Sequence, residues 1–166
     1  MSNKKRNKLA KSGDDPNQKT IAENRKARHK FSVLETMECG IALVGSEVKS
    51  LREGRLSLDE SYGRVRNGEV WLVGSDIAEY VQANRMNHAA KRPRKLLLHR
   101  SEISKFAGQA HEKGLTLVPL KMYFKQGRAK VLLGLCRGKK IHDKREAMKK
   151  ADTQREISRT MRNRNR

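Results

Sequence analysis

The chain has 166 residues, enough for one domain with extensions. Its 39 Lys and Arg against 18 Asp and Glu leave a formal charge of +21, which would repel itself unless a polyanion neutralised part of it. No apolar run reaches the ~18 residues a membrane-spanning helix needs, so nucleic acid is the first partner to expect and an anionic membrane surface the second.

The charge is unevenly spread. Residues 1–30 hold 10 basic and 3 acidic side chains and residues 137–166 hold 12 and 4, whereas the whole stretch between them holds 17 and 11. The middle therefore has an ordinary globular balance and the ends are basic arms. Met1-Ser2-Asn3-Lys4-Lys5-Arg6 is basic without an apolar core behind it, unlike a secretory signal, and Asp14 and Asp15 argue against a transit peptide. A cytoplasmic location is expected. Cys39 and Cys136 lack CxxC spacing, which suits two partly buried thiols in a reducing compartment better than a disulfide framework or a zinc site.

In chain order, residues 1–20 are polar, lack apolar periodicity and are broken by Gly13-Asp14-Asp15-Pro16; the expectation is a disordered basic arm. Phe31, Val33 and Met37 alternate with polar residues as in a half-buried strand. Gly40 permits a bend or bulge, and Ile41–Val44 reads as a second, more buried strand. Ser46 is the expected N-cap of a short helix carrying Glu47, Val48 and Leu51 and stopping at Gly54. Tyr62–Arg66 and Glu69–Val73 flank Asn67-Gly68, the pair that favours a type I′ hairpin. Residues 76–95 read as a loop with at most one helical turn. Ile103, Phe106, Ala107 and Ala110 then mark an amphipathic helix ended by Gly114. Thr116–Phe124 and Arg128–Cys136 form a second hairpin across Lys125-Gln126-Gly127.

About six short strands arriving as hairpins, with two or three short helices, predict a mainly β fold: an OB-fold-like antiparallel β-barrel with flanking helices and a basic C-terminal tail, with an open α+β sandwich as the alternative. The body spans residues 21–137 and the tail 138–166. In the tail Ala147, Ala151, Gln154, Ile157 and Met161 share about a third of a helical wheel, and basic residues fill most of the rest. So narrow a stripe cannot hold a helix alone, which leaves two readings: a solvated basic tail, or an arm disordered when free that turns helical on a partner. Helical over 143–164, it would be about 33 Å long.

No catalytic signature is present: no Walker A loop, HExxH, GxSxG or GxGxxG. The histidines His29, His88, His99, His111 and His142 are scattered, and the pairs Asp14-Asp15 and Asp59-Glu60 are merely sequential, so neither an enzyme, a metal site nor a cofactor is expected. Many cations with only seven aromatic residues favour reading phosphate, ribose and shape, hence a folded RNA rather than a splayed single strand. The basic runs Asn24–His29 and Lys91–Lys95 adjoin regular elements and would be held rigidly; otherwise they are charged edges that deter edge pairing.

Five motifs in order, Asn24-Arg25-Lys26-Ala27-Arg28-His29, Glu38-Cys39-Gly40, Gly45-Ser46-Glu47-Val48-Lys49-Ser50-Leu51-Arg52, Arg94-Lys95-Leu96-Leu97-Leu98 and Gly138-Lys139-Lys140-Ile141-His142-Asp143-Lys144-Arg145, make the chain resemble the SmpB (small protein B, SsrA-binding protein) family from about Ile21 to Met161. The resemblance implies an OB-fold barrel and a non-catalytic role in trans-translation. A monomer would bind the tRNA-like domain of tmRNA and enter stalled ribosomes with elongation factor Tu. Its tail would be helical in the empty mRNA channel of the small subunit, beside the decoding centre and its rRNA. By the same resemblance Glu38 and Leu97 match tmRNA-binding positions, as does His99, where some members have Asn. Asn24, Arg25, Lys26, Arg28 and His29 match an RNA-contacting stretch. Gly138, Lys139, Lys140, His142, Asp143, Lys144 and Arg145 match the tail motif at the decoding centre. Ile157 lies on the tail stripe, and Met161 matches a tail position important for function, preceded by Thr160 where some members have Ile. From the residues alone, Glu38 would accept hydrogen bonds from a base or ribose, or orient a neighbouring arginine. A structural ribosomal protein and an RNA-processing enzyme are the alternatives from other classes.

Overall fold

The computed structural model describes residues 18–83, 87–110, 114–140, 152–153, 155–157 and 159–161. The expected N-terminal arm up to residue 17, the tail residues His142, Asp143, Lys144 and Arg145, and the stripe positions Ala147, Ala151 and Gln154 lie outside them.

The elements are β1 (Gln18–Glu23), α1 (Arg25–Lys30), β2 (Phe31–Ile41), α2 (Gly45–Arg52), β3 (Leu56–Ser57), β4 (Tyr62–Arg66), β5 (Glu69–Val73), β6 (Asp76–Ile77), a 3-10 turn (Val81–Ala83), β7 (Arg94–Leu97), α3 (Arg100–Ala110), β8 (Leu115–Lys125) and β9 (Arg128–Gly138). The main sheet runs β1-β8-β4-β5-β7-β2-β9, and β9 pairs again with β8, so the six strands from β8 round to β9 close on themselves. This is the mainly β, OB-like barrel with flanking helices that the hairpin pattern predicts.

Closure depends on a glycine. Gly63 of β4 pairs with Leu117 of β8, and a Cβ at Gly63 would lie 2.8 Å from the Leu117 Cβ. Only a residue without a side chain lets the two strands meet. Pro119, in the middle of β8, is tolerated because the register slips between Pro119 and Lys121 and the flanking partner changes from β4 to β1 there, so its missing N–H leaves no ladder bond empty. Alternating residues fill the interior: Val70 and Leu72 of β5, Leu96 of β7, Met122 of β8, and Val131 and Leu133 of β9 are almost wholly inaccessible, and Phe106 of α3 and Leu51 of α2 belong to the same buried core.

The Asn67-Gly68 hairpin is as predicted, with φ of 51° and 69° at its two turn residues. The second hairpin turns on Gln126 (φ 50°) and Gly127 (φ 74°). Other expectations change. Residues 18–20, read as part of the disordered arm, belong to β1, held by β8 through pairs such as Gln18 with Lys125. Ile41–Val44 is not a separate strand: β2 runs unbroken through Gly40 and ends at Ile41. Ser46 does not cap α2. Val44 is the N-cap, and its N–H is taken by Glu47 Oε2 at 2.9 Å, while the Ser46 hydroxyl bonds His88 Nδ1 at 2.9 Å. Nine strands form among the described residues where about six are expected, because β1, β3, β6 and β7 are too short or too polar to show an alternation.

Candidate RNA-binding surface

Asn24 begins the first basic stretch. Its side chain accepts the Ala27 N–H at 2.9 Å and donates to the Leu58 carbonyl at 2.8 Å, and its own N–H reaches Leu120 O at 2.8 Å. It is 2% exposed, so it caps α1 and ties that helix to the barrel rather than offering a polar face outward. What it positions is a short helix with Ala27 turned inward and Arg25, Lys26, Arg28, His29 and Lys30 turned to solvent. Lys26 pairs with Asp59 at 2.6 Å, which raises its pKa, and Arg28 approaches Glu23 at 3.8 Å.

The root of the tail meets this helix. Gly138 pairs with Phe31, Lys139 N donates to Lys30 O at 3.0 Å, and Lys139 Nζ donates to Arg28 O at 2.9 Å. Arg25–Lys30 and Gly138–Lys140, far apart in sequence, therefore form one basic edge at the start of β2. The described tail residues beyond, 152–153, 155–157 and 159–161, are helical. Thr160 Oγ1 donates to Glu156 O at 3.0 Å, and Ile157 and Met161, one turn apart, are 45% and 65% exposed.

Glu38, Leu97 and His99 lie elsewhere. Seven residues along β2 from Phe31, roughly 20–25 Å at strand rise, the strand reaches Glu38. Its carboxylate takes the Tyr123 hydroxyl and Lys125 Nζ (3.3 Å) on Oε2 and faces Lys130 Nζ (3.8 Å) on Oε1. The Tyr123 hydrogen bond, with Lys125 and Lys130, holds this carboxyl below the usual carboxylate range despite partial burial. Glu38 thus orients two lysines; an arginine is not among these partners. Gly40 pairs with Leu97, which is 52% exposed and lines a groove of about 420 Å³ with Ile41, Leu43, Phe124, Arg128 and Lys130. Apolar floor and cationic rim together suit a ribose or base edge with its phosphates. His99 follows two residues later, exposed, its N–H held by Glu102 Oε2 at 2.9 Å at the start of α3.

The second basic run fares differently. Arg94 is wholly buried, donating to Glu47 Oε1 (2.8 Å), Ser75 O (2.7 Å) and Ala90 O (2.8 Å), and Arg92 donates to both Glu47 oxygens at 2.7 and 2.6 Å. Lys95 is paired with Glu69. Three of the four cations in Lys91–Lys95 are therefore engaged with carboxylates. Arg128 and Lys130 of the β8–β9 hairpin, not among the residues expected from the sequence, supply the groove's charge, with Lys125 nearby on Glu38; the basic residues around the Gln126-Gly127 turn are the signal that could have found them.

Against known proteins, the family described as "SmpB protein" matches residues 21–163. The chain belongs to the SmpB family. The SsrA-binding protein of Rhodopirellula baltica is 57% identical over 150 residues, 90% of this chain and 85% of its own. That of Carboxydothermus hydrogenoformans is 57% identical over 145 residues, 87% of this chain and 97% of its own. A solved chain described under "tmRNA-SmpB: a journey to the center of the bacterial ribosome" superposes with a TM-score of 0.64 at 50% identity, covering 76% of this chain and 93% of that one.

Proposed function

We propose that this SmpB-family chain is a non-catalytic adaptor that binds the tRNA-like domain of tmRNA and delivers it to stalled ribosomes for trans-translation, which tags the nascent peptide for degradation. The observation that carries the reading is the groove in which Arg128 and Lys130 stand beside the exposed Leu97, with Lys130 facing Glu38. A preformed array of cations around an apolar patch grips a folded backbone without first ordering flexible side chains. The groove takes tmRNA, with His99 at its margin and Arg25, Lys26, Arg28 and His29 contributing from α1, while Asn24 acts by holding that helix in place. The tail residues from Gly138, Lys139 and Lys140 through His142, Asp143, Lys144 and Arg145 to Ile157 and Met161 act on the ribosome, at the decoding centre and along the empty mRNA channel. The protein works as a cytoplasmic monomer alongside elongation factor Tu on alanyl-tmRNA.

Truncation separates the two roles. Because Lys139 is bonded to Lys30 and Arg28, the cut belongs after Lys140, not before Gly138. A chain lacking 141–166 should bind tmRNA nearly as well as the intact one in a gel-shift titration and support no peptide tagging in a reconstituted translation system. Loss of most tmRNA affinity on this cut would reverse the assignment. Recovery at fixed stoichiometry on ribosomal subunits without tmRNA would make it a structural ribosomal protein instead.

A further inference from the structure

One face of the barrel is not used by this reading. On β4, β5 and β7 the side chains of Arg64, Trp71 and Lys95 stand in a row, since Arg64 pairs with Trp71 and Trp71 with Lys95. Strand alternation turns all three outward: Val70, Leu72, Arg94 and Leu96 on either side are buried, while Trp71 and Lys95 are half-buried and Arg64 is exposed. Arg66 is two residues from Arg64 on the same face, about 7 Å along the strand. Arg64, Arg66, Trp71 and Pro93 line a recess of about 390 Å³. Its acidic member, Glu69, is already paired with Lys95, whereas among the described residues no carboxylate stands within ion-pair distance of Arg64 or Arg66. The recess shares no lining residue with the groove beside Leu97.

From this arrangement we infer that the β4–β5–β7 face is a second RNA contact, which receives one unpaired nucleotide with its base on the Trp71 ring and its flanking phosphates on Arg64 and Arg66. The inference deepens the RNA-binding reading above and rests on it. An aromatic ring between outward cations fits a π-faced, anionic ligand; two uncompensated guanidiniums on the rim disfavour a neutral apolar one. A single ring serves a single base, so the site suits a bulged or looped-out nucleotide of a folded RNA rather than a long single strand.

Trp71 is the one tryptophan in the chain, so its fluorescence reports on this face alone. Titration of the full-length protein with octauridine at low salt should quench Trp71 emission saturably, and added salt should weaken the binding. The variant R64S/R66S, altered only at solvent-facing strand positions, should keep the parent's thermal midpoint and bind octauridine at least about tenfold more weakly. With labelled octauridine followed by anisotropy, Trp71→Phe should retain most of the affinity and Trp71→Val should lose it. Leu97 lines the separate groove, so the octauridine quenching of Trp71 should run the same course in Leu97→Ala as in the parent. If a tRNA-shaped RNA binds the protein while octauridine leaves Trp71 emission unaltered up to millimolar concentration, the second contact is wrong and the proposed function stands. Equal octauridine affinity in the parent and R64S/R66S also overturns it. If neither RNA binds, both fall together.

Discussion

Glu47 and Arg94 meet at 2.8 Å with both side chains wholly buried, one on α2 and the other on β7. Burial pushes the Glu47 carboxyl up, but hydrogen bonds from Arg92, the Val44 N–H and Arg94 outweigh it and hold the group below the usual carboxylate range. Burial works against the Arg94 charge as well, yet a guanidinium does not give up its proton inside a protein, so the pair stays ionic. Glu47→Gln therefore leaves a buried cation without its anion and should cost about 3–5 kcal/mol of unfolding free energy in urea titrations. Replacing both partners, as E47L/R94M, should recover part of that loss, because the uncompensated charge goes with them.

The same carboxylate gives a pH signature. A folded-state pKa lowered from an unfolded value of about 4.3 means that the Glu47 contribution is fully present above that value and is lost as pH falls through the lowered one. Urea midpoints of the parent should fall in acid below about pH 4, and the fall should be shallower in Glu47→Gln. An equal pH dependence in the two proteins would mean that other carboxylates carry it.

Asn24 and its neighbours should separate cleanly under substitution. Asn24→Ala removes an N-cap and leaves the Ala27 N–H and the Leu58 carbonyl without their partner, so a loss of about 2–4 kcal/mol is expected. Arg25→Ala and Lys26→Ala alter exposed side chains and should stay within about 0.5 kcal/mol while weakening tmRNA binding and its salt dependence. Under conditions where it is folded, Asn24→Ala should bind tmRNA nearly as the parent does. A large affinity loss in a fully folded Asn24→Ala would place this side chain on the RNA after all.

These residues also mark what a sequence can disclose. The Asn67-Gly68 hairpin was legible to the residue, because positive φ at two adjacent positions is a local demand that few residue pairs meet. Helix α3 was legible from its apolar spacing. Asn24 was grouped with the cations beside it because α1 is too short and too charged to betray itself, and without the helix no cap can be recognised. The fate of Arg92 and Arg94 depends on Glu47, 45 and 47 residues earlier, and nothing local distinguishes a buried arginine from a solvated one. Barrel closure at Gly63 and Leu117 is likewise a contact between distant segments. Of the candidate site, the resemblance picked out Glu38 and Leu97, while the lysines that Glu38 holds became visible only once β2 and the β8–β9 hairpin stood side by side.

Cys39 and Cys136 should be chemically silent in the folded protein. Both are buried and unpaired with each other, and burial pushes their thiols up to about 12 and about 11, so almost no thiolate exists near neutrality. A chromogenic disulfide reagent at mildly alkaline pH should find essentially no reactive thiol in the native chain and two in urea. Prompt reaction of either under native conditions would show that β2 or β9 opens locally far more often than its burial implies.

Gly40 tests whether the groove works through the placement of Leu97. A Cβ at position 40 would lie 3.2 Å from the Leu97 Cβ, close enough to displace that side chain by a few tenths of an ångström. Leu97 is half open to solvent and can swing outward, and alanine is entropically better than glycine within a strand, so Gly40→Ala should change stability by less than about 1 kcal/mol. Its effect should appear in tmRNA affinity, as a loss comparable to that of Leu97→Ala. If Gly40 acts only by setting Leu97, the double variant G40A/L97A should lose no more than the worse of the two single variants, since the side chain to be misplaced is already gone. Losses that add in full would show that Gly40 meets the RNA through its own backbone, where a bare strand lets a phosphate or ribose come close.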